Sequence, residues 1–163
     1  MTEIYVIRHA WAEDRQCFLG STDWERPLTR DGRRRFAAML KRLVERGFRP
    51  EVIATSPLVR CRQTAEIVAE ITAGGAPIVV LDALQPGSDL EAMLAWTERE
   101  AGACEQVAWI GHAPDVGRLT GRLTGEGTLR FAKGAIAAIR FDGPPAPACG
   151  ELRWLVTAKL LGC

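Results

Sequence analysis

Ile4-Tyr5-Val6-Ile7-Arg8-His9-Ala10 begins as four apolar residues and then turns abruptly to a guanidinium and an imidazole. A short apolar run cut off by polar groups reads as a strand buried on both faces. Outward from it, apolar runs bounded by turn residues alternate with longer amphipathic stretches. Leu28-Thr29 opens a helix, with Phe36, Met39, Leu40, Leu43 and Val44 at helical spacing and Gly47 as its stop. Val52-Ile53-Ala54 is a second strand, after which Ser56 takes a capping position and Pro57 the first turn of a helix faced by Ala65, Val68, Ala69 and Thr72. Pro77 to Leu81 is a third strand, Asp89 to Glu100 a helix, and Gln106 to Ile110 a fourth strand. Asp115 caps a last helix, patterned by the repeat Arg118-Leu119-Thr120-Gly121 and Arg122-Leu123-Thr124-Gly125. Ala135 to Phe141 and Leu152 to Val156 form a strand pair across Gly143-Pro144-Pro145-Ala146-Pro147. The order predicts an α/β fold: a single three-layer domain over residues 1–163, with a mostly parallel central sheet, helices on both faces and an antiparallel edge strand.

Composition sets the outer limits. In 163 residues, 47% hydrophobic and 25% charged, there is material for one sizeable core and no sign of disorder. Lys+Arg 21 against Asp+Glu 20 gives a formal charge of +1, so no global field gathers nucleic acid or an anionic membrane, and any affinity for phosphate is local. Cys17, Cys61, Cys104, Cys149 and Cys163 are odd in number, scattered and free of CxxC spacing, which favours reduced thiols in the cytoplasm over a disulfide frame or a structural metal. No stretch reads as a signal peptide or anchor.

In an open α/β sheet, ligands sit outside the carboxyl ends of the strands. Arg8 and His9 follow the first strand, Arg60 lies in the helical turn after the second, and Gly111-His112 follows the fourth. The only two histidines of the chain fall at such edges. A single histidine there is more often structural, but two guanidiniums and two imidazoles beside a helix N-terminus suit a phosphoryl group. Arginine forks match phosphate oxygens, and imidazole serves as nucleophile or proton carrier.

These residues also carry a family resemblance. Arg8-His9-Ala10, Arg26-Pro27-Leu28-Thr29-Arg30-Asp31-Gly32, Ser56-Pro57-Leu58-Val59-Arg60-Cys61-Arg62-Gln63-Thr64-Ala65 and Gly111-His112-Ala113-Pro114-Asp115 resemble, in order, the histidine phosphatase superfamily with its phosphoglycerate mutase-like fold. More narrowly, they are similar to its small SixA-type phosphohistidine phosphatases. The resemblance implies that His9 is the nucleophile, phosphorylated during turnover, and that Arg8, Arg60 and a protonated His112 bind the phosphate. No cofactor and no metal is implied. The expected partner is a histidine-phosphorylated protein, such as a phosphotransfer domain or a phosphorelay component, with inorganic phosphate as product.

One departure narrows the substrate. Larger relatives that cleave phosphate esters usually place a carboxylic acid near the pocket, whereas the stretch after the third strand reads Ala83-Leu84-Gln85-Pro86-Gly87. A positioned general acid is worth about 10²- to 10⁴-fold, most where the leaving group is a strong base. An imidazole leaves without one. Asp82, Asp89 and Asp115 remain alternative proton donors, and with them the reading as a small-molecule phosphomonoester phosphatase. A phosphate-binding regulatory module without turnover is a further alternative, disfavoured because both histidines accompany the arginines.

Other features are expected to be structural. Arg33-Arg34-Arg35 points three ways around a helix and reads as a solvated face. Trp11, directly after the strand-end motif, either lines the pocket mouth or packs over the loop. Arg62 is assigned to the surface, and Cys61 to the core rather than to redox sensing.

Overall fold

The computed structural model describes residues 1–163. The apolar runs become strands β1 (Thr2–Arg8), β2 (Val52–Thr55), β3 (Ile78–Val80), β4 (Gln106–Gly111), β5 (Ile136–Phe141) and β6 (Glu151–Val156). The amphipathic stretches become helices α1 (Arg30–Val44), α2 (Val59–Ile71), α3 (Leu90–Ala101) and α4 (Asp115–Thr124). All six strands join one sheet in the order β3-β2-β4-β1-β5-β6. The first four run parallel, β5 pairs antiparallel with β1, and β6 pairs antiparallel with β5. The predicted fold class holds, and the antiparallel pair occupies one end of the sheet.

Side chains along the inner strands alternate between two cores, as the period of two requires. Tyr5 and Ile7 of β1 join Ile53, Ala108 and Ile110 on the face covered by α1 and α2, where Phe36, Met39 and Leu40 are fully buried. Ile4 and Val6 join Val52, Val107 and Trp109 on the opposite face, beneath Met93 of α3 and Leu119 and Leu123 of α4. Each large apolar side chain withdrawn from water contributes roughly 1.5–3 kcal/mol. Two filled cores lock the inner strands in register.

That register levels the strand ends. Arg8 pairs with Gly111 and Thr55 with Ile110, so the residues that follow leave the sheet side by side. The backbone continues the ladder one step further: His9 N–H donates to the Gly111 carbonyl at 3.0 Å, and Ser56 N–H to that of Ile110 at 3.0 Å.

Two of the four helices carry a side-chain N-cap. Thr29 accepts from Gly32 N–H, and Asp89 from Ala92 N–H, as N-caps. Ser56 does not cap: α2 starts at Val59 behind Leu58, so Ser56 and Pro57 both precede it. Asp115 does not cap either. Pro114 holds the cap position of α4, and Asp115 is its first residue. In both cases the polar side chain finds a tertiary partner, described below, that outweighs the local one.

The four-residue repeat in α4 has a packing reason beyond helical patterning. Gly117 and Gly121 form a smooth strip against which the backbone of residues 126–129 lies. A Cβ at Gly117 would meet the Leu129 carbonyl oxygen at 1.9 Å, and one at Gly121 the Gly127 oxygen at 2.5 Å. Gly117→Ala is therefore expected to cost about 1–3 kcal/mol or more, because the obstacle is backbone rather than a mobile side chain. Urea denaturation of the variant checks this, an unchanged midpoint being the contrary result.

Candidate active site

The level ends of β1, β4 and β2 bring Arg8, His9, His112 and Arg60 into one crevice, so all four sequence-predicted site residues converge. The His9 and His112 rings lie 5.5 Å apart between centroids. Arg60 Nη2 lies 3.5 Å from His112 Nδ1. His9, Arg60 and His112 are all buried.

His9 is fixed from several sides. Its carbonyl accepts from Gly134 N–H at 3.0 Å, and the following amide, Ala10 N–H, donates to Thr64 Oγ1 at 3.1 Å. The ring donates Nδ1–H to the Ala10 carbonyl at 2.7 Å. A carbonyl can only accept, so the proton stays on Nδ1 and the Nε2 lone pair is left free. Burial lowers the pKa of His9 to about 3, and the nearby charges of Arg60, His112 and Arg8 push the same way against the Ala10 hydrogen bond. A neutral imidazole with one defined lone pair is a competent nucleophile.

Arg8 donates Nη1–H to the Phe131 carbonyl at 2.7 Å, while its Nε is buried without a partner. Arg60, in the first turn of α2, also carries an unpartnered buried Nε. Burial lowers the pKa of both guanidiniums, which nonetheless remain charged. Unsatisfied donors inside a cationic crevice suit an anion with several acceptor oxygens.

His112 differs from expectation. Burial and then the neighbouring Arg60 charge lower its pKa to about 4, so among these neighbours it is neutral at pH 7 rather than protonated. Its Nε2 lies 2.8 Å from Ser56 Oγ, which is where the hydroxyl expected to cap α2 is engaged. That hydroxyl can accept from Nε2–H, or rotate and donate into Nε2 so that Nδ1 carries the proton. Arg60 can only donate, so the first state sets the Nδ1 lone pair facing its Nη2, and a cationic ring carries N–H on both nitrogens. Cys61 Sγ sits 3.5 Å from Nε2 as well, its thiol pushed up to about 12 by burial, and it remains protonated and inert.

The alternative proton donors are otherwise engaged. Asp115 accepts from Gly87 N–H at 2.8 Å and pairs with Arg118, tying the loop after β3 to the start of α4. Asp89 caps α3, and Asp82 accepts from Gln85 Nε2 at 2.7 Å. The side chain of Trp11 packs beside Phe36 near Gly134, with the Arg35 guanidinium 4.2 Å from its ring centroid, so it packs over the loop. Arg34 and Arg62 are exposed as expected, Arg34 pairing with Asp31, but Arg33 and Arg35 are half-buried, Arg35 because it stacks on Trp11 and donates to the Cys163 carbonyl, so the run is solvated only in part.

Several contributors went unrecognised in the sequence. Asp23 lies in the loop after β1 and receives Arg60 twice, Nη1 on its carbonyl at 2.8 Å and Nη2 on its carboxylate at 3.0 Å. Phe131 contributes only a carbonyl. Gln63 accepts from Leu28 N–H at 2.8 Å, and Thr64 from Ala10 N–H at 3.1 Å, so this pair stitches two loops to α2. Backbone acceptors leave no trace in residue type, and Asp23, three residues before Arg26-Pro27-Leu28-Thr29, falls outside the motif.

Residues 4–140 match the model of the histidine phosphatase superfamily, branch 1. The fold is similar to that of the protein histidine phosphatase SixA complexed with tungstate, with a TM-score of 0.86 and 26% identity over 98% of this chain and 99% of that one. It is also similar to the alpha-ribazole phosphatase from Shigella flexneri, with a TM-score of 0.72 over 96% and 97% of the two chains; at 16% identity this likeness concerns the fold alone. An uncharacterized protein of Picosynechococcus sp. (strain ATCC 27264 / PCC 7002 / PR-6) is 43% identical over 116 residues, 71% of this chain and 68% of that one.

The two buried imidazoles tie stability to pH. Both folded pKa values lie below the ordinary imidazole value of about 6.5, so between 6.5 and about 4 the unfolded chain binds more protons than the folded one. Their contribution is fully present above pH 6.5 and is lost as pH falls through that window toward the folded values. In urea unfolding at a series of pH values, His9→Asn should show a shallower loss of stability between pH 6.5 and 4 than the wild type. Identical slopes would mean that His9 is solvated in solution.

Proposed function

The chain belongs to the histidine phosphatase superfamily and is a phosphatase; we propose that its substrate is a phosphohistidine on a partner protein, such as a phosphotransfer domain or phosphorelay component. His9 Nε2 attacks phosphorus in line while Arg8, Arg60 and His112 bind the equatorial oxygens. The P–Nε2 bond forms as the substrate P–N bond breaks, and the electron pair stays on the departing imidazole. That imidazole leaves neutral because its other nitrogen already bears a proton. Water then attacks the phosphoryl group on His9 and releases inorganic phosphate. In this second step His9 is itself the leaving group, and the Ala10 carbonyl keeps on Nδ1 the proton that makes it a good one.

The observation that carries the choice of substrate is the state of the flanking carboxylates. Burial alone would raise the pKa of Asp23, but hydrogen bonds from Arg26 and Arg15 and the charge of Arg60 hold it at about 2. It has no proton to give at neutral pH. Asp82, Asp89 and Asp115 serve as the anchors described above. An alkoxide leaving group therefore lacks a proton source, whereas an imidazole needs none. The likeness to protein histidine phosphatase SixA supports the same reading. The likeness to an alpha-ribazole phosphatase marks the alternative, a small phosphate ester, which requires one of those carboxylates to be released. Five cysteines without paired spacing suit a reducing compartment such as the cytoplasm.

Phosphate release from a histidine-phosphorylated protein, compared with release from an aryl and an alkyl phosphate ester, tests the reading. The phosphoramidate is expected to turn over faster than the alkyl ester by about 10²-fold or more, the worth of the missing acid. His9→Ala should lose on the order of 10³-fold or more, and with it acid-labile phosphate on the protein. Arg60→Ala should lose about 10²- to 10³-fold while remaining folded. Comparable turnover of the alkyl ester would install the small-ester reading, and phosphate binding without turnover the regulatory one.

A further inference from the structure

Asp23 stands outside the groups that handle phosphate, yet its carboxylate is shared among three arginines. Arg15 Nε and Arg26 Nε reach Oδ1 at 3.0 and 2.9 Å, and Arg60 Nη2 reaches Oδ2 at 3.0 Å. Arg15 Nη2 already stands 3.3 Å from the same Oδ2. The surroundings of the three differ sharply, for the Arg60 side chain is 3% exposed and that of Arg15 73%. A guanidinium as buried as Arg60 is expensive to leave without a counter-charge, and the empty crevice offers no other carboxylate within ion-pair distance of it. Arg60 does not depend on the carboxylate for its place, because Nη1 separately holds the Asp23 backbone carbonyl. Beside the carboxylate lies a cavity of about 320 Å³ lined by Arg15, Asp23 and Arg26, which leaves it room to turn.

We propose that the Asp23 carboxylate is the counter-anion of Arg60 while the phosphate pocket is empty, and yields that guanidinium to the phosphoryl group on binding, withdrawing onto Arg15 and Arg26. The exchange replaces one ion pair of Arg60 by another and leaves no charge unpaired at either stage. Binding a phosphate then costs the Arg60–Asp23 pair, so Asp23 weakens the hold on free phosphate and favours its departure after hydrolysis. Arg15 and Arg26 set the opposite bias by stabilising the withdrawn carboxylate. The inference rests on the crevice being a phosphate site and is indifferent to whether the phosphoryl group arrives on nitrogen or on oxygen.

Calorimetric titration with inorganic phosphate, combined with thermal unfolding, tests it on the wild type, Asp23→Asn, Arg15→Ala and the double variant. Asp23→Asn should bind phosphate roughly three- to tenfold more tightly, unfold at lower temperature without phosphate, and gain more from its addition. Arg15→Ala should weaken binding in the wild-type background and change nothing in the Asp23→Asn background, the coupling expected if Arg15 acts through the carboxylate. Weaker or unchanged binding in Asp23→Asn overturns the proposal and makes Asp23 a fixed support of Arg60. An equal effect of Arg15→Ala in both backgrounds also overturns it, leaving only long-range charge. Should Asp23→Asn fail to fold, Arg15→Ala is compared with Arg99→Ala, which removes the same charge from a side chain 67% exposed on α3. The proposal requires the former alone to weaken binding, and equal effects refute it. Absence of phosphate binding by the wild type refutes the pocket assignment itself and the proposal with it.

Discussion

The hydrogen bond from His9 N–H to the Gly111 carbonyl extends the β1–β4 ladder one residue beyond its last pair, and through it the segment that carries His9 inherits the rigidity of the sheet. Its counterpart from Ser56 to Ile110 does the same across β4. Three chain segments distant in sequence thus leave the sheet at one level, each in a direction set by the pleat. The arginines and histidines meet because the backbone leaves them no other exit. Two cores, one on each face, keep this edge from slipping, since a shift of one residue would turn Tyr5 and Ile7 into the wrong layer.

Desolvation then sets the chemistry. The crevice is dry enough to hold both imidazoles neutral and strongly cationic enough to await an anion. Those properties are coupled, because the arginine charges that attract phosphate are among the forces that strip the histidines of protons. A dianion entering the crevice offsets the arginines and relaxes the constraint on His112, whose hydroxyl partner Ser56 can turn to suit either ring state. The two imidazoles are chemically alike and are distinguished by their neighbours: a carbonyl fixes the proton of His9, and a rotatable hydroxyl leaves that of His112 free to move.

The loops between the strand ends and the helices act as ties more than as lids. Asp115 holds Gly87, Gln63 holds Leu28, and Thr64 joins the amide of Ala10 to the carbonyl of Arg60. Each fastens a loop that borders the crevice to a regular element. Of the carboxylates near the strand ends, Asp115 is engaged in this fastening and Asp89 in capping α3.

Period and punctuation were enough to read the six strands and the four helices and to place Arg8, His9, Arg60 and His112 at neighbouring strand ends, because those depend on local pattern and on the order of elements along the chain. Ser56, Asp115 and Asp23 lay beyond that reach. The first two are good capping residues by type, and only the folded chain offers Ser56 a histidine and Asp115 the amide of Gly87 in place of the nearest helix. Asp23 is one polar residue in a polar loop until α2 carries Arg60 against it from 37 residues away. The Phe131 carbonyl and the glycine strip of α4 are likewise contacts with backbone, and residue type says nothing about which carbonyl a distant guanidinium or helix will meet. The sequence by itself determined which elements form and which reactive groups stand at their ends. The tertiary structure alone decided their protonation, tautomers and counter-charges, because those depend on burial and on through-space distances that sequence spacing does not encode.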